Sequence, residues 1–264
     1  MRADVTMVRR RAGERYRIHS GGQNLWLSFF PELRTSPLAD GFGALVALNE
    51  GHLPPEGTML TYCRRGSEII TYVIDGSLAH KDGSGRPSEL LRSGDFQRSN
   101  ASTSDHASYS NASGREELHV VQLSLRAAPR LAQRPAERRS FPVTDRMGGL
   151  RLIGSGDGRL GSLSLAHDVR VYSGVFAADQ ALDYRLDAGR IVWLQLLRGE
   201  LALDGMALTA GDGVGARVPG ALRLHAGSAV EFVLIDLTAS APHCASQAEG
   251  HSSTTFATGA AAHG

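Results

Sequence analysis

The chain has little of what marks a secreted, membrane or nucleic-acid-binding protein. It has two cysteines in 264 residues, Cys63 and Cys244, far apart and in unlike surroundings. Such a pair makes no disulfide framework, so a reducing cytoplasm is the expected compartment. No apolar run approaches the roughly 18 residues of a spanning helix, and no apolar segment follows the N-terminal arginines, so neither a membrane span nor a secretory signal is expected. A formal net charge of +1 gives nucleic acid or an acidic membrane surface nothing to follow. Arg9-Arg10-Arg11 is a local basic run, read as a solvated terminus. Helical periodicity is scarce. No nucleophile elbow, Walker loop, dinucleotide glycine motif or Cys-x-x-Cys pair is present. Gly154-Ser-Gly-Asp-Gly158 follows Leu152-Ile153 with no helical pattern behind it, which reads as a turn rather than a phosphate cradle.

Glycine, by contrast, is plentiful at 31 residues, and short apolar runs alternate with Gly, Asp, Ser and Pro clusters. That pattern predicts an all-β chain of many short strands. One strand–turn pattern occurs twice. Ile70-Thr-Tyr-Val-Ile-Asp-Gly76 leads to Gly94-Asp95-Phe96, and Trp193-Leu-Gln-Leu-Leu-Arg-Gly199 leads to Gly211-Asp212-Gly213. Repetition at this distance predicts two copies of one β-domain in tandem. Strands are expected over 25–30, 43–49, 68–74, 77–81 and 118–125 in the first copy. In the second they are expected over 161–166, 169–176, 191–197, 200–203 and 229–236. The predicted organisation is a first domain over 1–126, a connector over 127–145 rich in Arg, Ala and Pro, and a second domain over 146–238. The tail over 239–264 has too few apolar residues to offset its ordering entropy and is expected to be disordered.

The wording and order of these segments resemble the pirin family of bicupins, tandem cupin barrels of the jelly-roll type. Glu68-Ile-Ile-Thr-Tyr-Val-Ile-Asp-Gly76, His80-Lys-Asp82, Gly94-Asp-Phe-Gln97, Leu118-His-Val-Val-Gln122 and Val233-Leu-Ile-Asp-Leu237 carry the resemblance. It implies one metal, usually iron, in the N-terminal barrel, held by a His-x-His pair and a later His-x-Glu pair. Alternate residues of a strand share a face, so each pair aims both ligands inward. Carried onto this chain, the four ligand positions fall on Tyr62, Arg64, Ala107 and Tyr109. None is a family ligand, and Arg64 sets a permanent positive charge where a cation belongs. His106 is one residue from the expected position and faces inward only if a bulge re-aims it.

The expectation is therefore a degenerate site with no metal cofactor. Tyr62, Arg64, Glu68, His106, Tyr109 and His119 are the candidates for lining a pocket. Arg64 would anchor an anionic or phenolic small molecule, or else pair with Glu68 as a plug. His119 is read by default as a hydrogen-bonded core histidine and His80 as a surface strand residue. Cys63, beside Arg64 and Arg65, is a redox candidate because guanidinium groups lower a thiol's pKa. The first functional expectation is a small-molecule-binding or regulatory protein. The alternatives are an iron-dependent quercetin 2,3-dioxygenase-like enzyme and a protein-interaction co-regulator, the last with no sign of direct DNA contact.

Overall fold

Both copies of the repeated turn place glycine in the left-handed region, Gly76 at φ +81° beside Gly199 at +79°, and Gly94 at +86° beside Gly211 at +89°. A side chain is costly there, so each glycine fixes where its strand ends. A computed structural model describes residues 7–20, 22–30, 36–62, 66–81, 87–101, 106–126 and 135–239, with only the backbone for 60–62, 80–81, 87–89 and 106–107.

The glycines organise two barrels, each a seven-stranded sheet backed by a four-stranded one. In the first, the large sheet runs Glu137–Ser140, Asp95–Asn100, Glu68–Asp75, Leu118–Leu125, Leu45–Leu53, Gln23–Leu27 and Tyr16–Ser20. In the second it runs Met7–Arg10, Gly213–Ala216, Arg190–Arg198, Val230–Thr238, Val169–Phe176, Leu150–Ser155 and Leu163–Ser164. The expected all-β tandem architecture is what forms. Among the described residues, no helix is long and apolar enough to cross a membrane.

The two sheets follow one permutation and exchange their edge strands. Met7–Arg10, from the start of the chain, pairs with Gly213–Ala216 of the second barrel, while Glu137–Ser140 pairs with Asp95–Asn100 of the first. The repeated Gly-Asp turn holds each donated strand. Asp95 accepts from the Arg138 guanidinium at 2.6 Å, and Asp212 accepts from that of Arg9 at 2.6 Å. The basic run is thus not a solvated terminus: Arg9 is paired, and Arg10 is buried and donates to Ser36 Oγ at 2.7 Å.

Among the described residues, strand alternation divides most of the buried apolar side chains among three large cores. Leu53, Met59, Val73, Leu78, Leu118 and Val120 fill the first barrel. Leu194, Leu201, Leu222, Leu224 and Leu234 are among those that fill the second. The opposite faces of the two large sheets meet in a third core, where Ile70, Val121 and Leu123 join Trp193, Val233 and Ile235. Within this contact Arg146, 1% exposed, donates from Nη1 to Tyr72 Oη at 2.8 Å, Ser173 Oγ at 3.1 Å and Glu231 Oε1 at 2.6 Å. Tyr72 comes from the first barrel, Ser173 and Glu231 from the second. A buried charge is tolerated only when paired in this way.

Candidate metal centre

In the strand Leu45–Leu53, Gly51 sits over Met59 and Val120 of the barrel interior, so Glu50 and His52 point the other way. In the strand Leu118–Leu125, Val120 faces the interior and His119 shares the outer face with Val121. Register brings them together, with His119 opposite His52 and Val121 opposite Glu50. The two imidazoles stack at 4.0 Å between centroids. His119 Nε2 lies 2.8 Å from Glu50 Oε1, and His52 Nε2 lies 4.0 Å from the same oxygen. One ligand atom from each of the three residues falls within 4.8 Å of the others.

Glu50 is 5% exposed, and its second oxygen accepts from Arg15 Nη1 at 2.5 Å. Burial by itself raises its pKa, but the His119 hydrogen bond and the Arg15 charge outweigh it and hold the carboxyl below the ordinary range. Desolvation, then the charge of His119, lowers the pKa of half-buried His52 against the opposing pull of Glu50 and Glu117. Glu50 is therefore ionised and His52 neutral, the protonation states a metal requires of such ligands. Two imidazoles and one carboxylate are also a donor set that suits divalent iron or nickel. On this chemistry the residues fit a metal.

The triad opens onto a cleft of about 440 Å³ walled by both barrels. Trp26 and Asp75 stand on the first barrel's side, and Leu197, Arg198, Gly199, Ala210 and Gly211 on the second's. Trp26 meets His52 edge-on at 5.5 Å.

The same ladder positions in the second barrel hold something else. Glu231 lies opposite Arg198 as His119 lies opposite Asp75, and Ser173 lies opposite Val233 as Glu50 lies opposite Val121. Val175 stands where the first barrel has His52, opposite Glu231. Without the imidazoles, that copy of the site is the Arg146–Glu231 ion pair.

The expectation of a chain without a metal cofactor is overturned here. It looked for donors at 62, 64, 107 and 109, whereas the donors converge on the outer face of the large sheet. Glu50-Gly-His52 is itself an x-spaced pair in a strand and was the available signal; the predicted strand stopped at Asn49, one residue short of it. Of the sequence candidates whose side chains are described, His119 joins the centre and Glu68 and Tyr109 do not. Tyr109 is packed in the first barrel's apolar core. Glu68 is fully buried, and its two oxygens accept the Ala166 N–H at 3.0 Å each, a contact to the second barrel. Tyr62 and His106 are backbone partners in the small sheet, their side chains outside the described ones. Cys63 and Arg64 lie outside the described residues, and so does the side chain of His80.

Comparison with known proteins places this architecture. The description "Quercetinase C-terminal cupin domain" matches residues 152–237. A quercetin 2,3-dioxygenase of Escherichia coli K12 is 30% identical over 228 residues, covering 86% of this chain and 97% of that protein. A pirin-like protein of Caulobacter vibrioides is 28% identical over 200 residues, 74% of this chain and 84% of that one. The structure of the bacterial pirin YhhW from Escherichia coli in complex with nickel(II) superposes with a TM-score of 0.75 at 29% identity, over 88% of this chain and 99% of that one. By sequence, repeat and fold together, the chain belongs to the pirin family of bicupins.

Proposed function

We propose that the protein is a metal-dependent enzyme of the quercetin 2,3-dioxygenase type, acting on a phenolic small molecule in the cleft between its barrels. One observation carries this: Glu50, His52 and His119 converge as two imidazoles and a carboxylate at the floor of an open cleft. A divalent metal held there supplies a centre at which a phenolic oxygen and dioxygen are brought together. Glu50 and His119 are fixed by Arg15 and by each other, while His52 keeps its neutral form. The cleft's volume falls in the range that buries small organic ligands, with Trp26 and Leu197 as apolar surface beside the donors. A relative's quercetin dioxygenase name and a nickel-bound pirin neighbour support the substrate class and the metal.

The test is elemental analysis of untagged protein together with oxygen uptake and loss of flavonol absorbance on quercetin. The expected result is close to one equivalent of metal, lost along with turnover in Glu50→Gln, His52→Ala and His119→Ala. Parent protein without metal, or triad variants that keep it in full, refutes the assignment.

A further inference from the structure

Asp75 and Arg198 occupy the same position of the repeated strand–turn pattern, each immediately before a glycine at positive φ. The pseudo-symmetry of the barrels brings these equivalent residues face to face. Arg198 Nη2 donates to Asp75 Oδ2 across the cleft, and Arg198 Nη1 lies 3.9 Å from Glu231 Oε2. Both line the cleft that holds the triad, and both stay open to solvent, with side chains 42% and 54% exposed for Arg198 and Asp75. Along the first barrel's sheet, His52, His119 and Asp75 stand opposite one another on three adjacent strands. Directly opposed residues of an antiparallel ladder have Cβ atoms about 4.5–5.5 Å apart. Asp75 therefore stands one strand beyond the donors and presents the Arg198 guanidinium to the same space.

The other arginine of the cleft is committed differently. Arg15 is buried against Glu50, its side chain 6% exposed. Arg198 is a cation lining the cleft that is both half-exposed and held by an exposed carboxylate, so a ligand anion can reach it. Its planar fork matches two adjacent oxygens, such as those of a carboxylate or of a neighbouring hydroxyl and phenolate.

We propose that Arg198, contributed by the second barrel, is the specificity-determining residue that selects phenolic ligands bearing an anionic oxygen, and that Asp75 competes with the ligand for it. The proposal rests on the phenolic reading above and names which phenols the cleft takes. It also gives the second barrel, which has Val175 and Glu231 where the first has His52 and His119, a part in the site.

The two partners predict opposite signs. Arg198→Met removes the ligand's counter-charge, so quercetin should bind the full-length, metal-loaded protein roughly three- to tenfold more weakly. Asp75→Asn removes the competitor and should tighten quercetin binding by a similar factor. Flavone, which has no hydroxyl to ionise, should be indifferent to both. The loss of one half-exposed ion pair leaves the fold intact. Titration calorimetry reads the affinities, and metal content is measured on the same samples. If Arg198 and Asp75 only tie the barrels together, both variants move affinity in the same direction, and that result overturns the proposal. So does an unchanged Arg198→Met affinity with metal content at parent level, which leaves the metal-dependent reading standing. Failure of the parent protein to bind quercetin removes the phenolic reading and this proposal together.

Discussion

Arg146→Met tests whether the polar network between the barrels is a keystone or an ornament. The guanidinium is 1% exposed and donates to Phe141 O at 3.0 Å as well as to Tyr72, Ser173 and Glu231. Methionine fills part of its volume but leaves Glu231, 6% exposed, with the Tyr72 hydroxyl and the 3.9 Å contact to Arg198. Removing one member of a buried pair costs about 3–5 kcal/mol, because the remaining charge loses its close ionic partner. For a chain of this size each kcal/mol is worth about 2 °C, so the melting temperature should fall by roughly 6–10 °C. Urea titration gives the free energy and scanning calorimetry the temperature. The double variant Arg146→Met with Glu231→Gln should recover a substantial part of the loss, because the orphaned charge is gone. A single variant within about 1 kcal/mol of the parent, or a double variant worse than the sum of the singles, would refute the account of an ion pair that holds the barrels together.

Asp212 receives the Ala12 and Thr209 N–H groups and the Arg9 guanidinium, which outweigh its burial and hold its pKa below the ordinary 3.8. Its contribution is therefore complete above about pH 4 and disappears as pH falls through the depressed folded value; the urea stability gap between parent and Asp212→Asn should narrow in that window and stay flat from pH 5 to 7. Gly174→Ala would place a Cβ 2.6 Å from Phe232 Cζ, inside the second barrel's core, and should cost about 1–3 kcal/mol in the same assay. Glu68→Ala should destabilise by about 1–3 kcal/mol, because the Ala166 N–H loses its acceptor, and hydrogen exchange at that amide should accelerate.

The sequence showed most where physics acts locally. The glycines at 76, 94, 199 and 211 need a left-handed backbone, so the repeat, its turns and its strand pairs could be read from residue type. Elements whose partners are distant in the chain were illegible. Met7–Arg10 reads as a basic run because its stability comes from Gly213–Ala216 and Asp212, not from its own residues. Glu137–Ser140 reads as connector for the same reason. The candidate metal centre was half legible. His119 was a named candidate, but Glu50 and His52 lie just past the predicted end of their strand, before Pro54-Pro55. What assembles the three is ladder register between strands 69 residues apart, which no single segment encodes.

The exchanged edge strands set an order on biosynthesis. Arg9 leaves the ribosome 203 residues before its partner Asp212. At roughly 5–20 residues per second, that is about 10–40 s in which the first-made strand waits with an unpaired edge. The first barrel cannot complete its sheet until Glu137–Ser140 has emerged, so neither half is finished when its own repeat has been translated. An exposed edge strand is a template for foreign pairing. Among the described strands, Met7–Arg10 bears that hazard longest, and its arginines, of which Arg9 ends up clasped by Asp212 and Arg10 buried, set charge along the waiting edge, a feature that opposes foreign pairing.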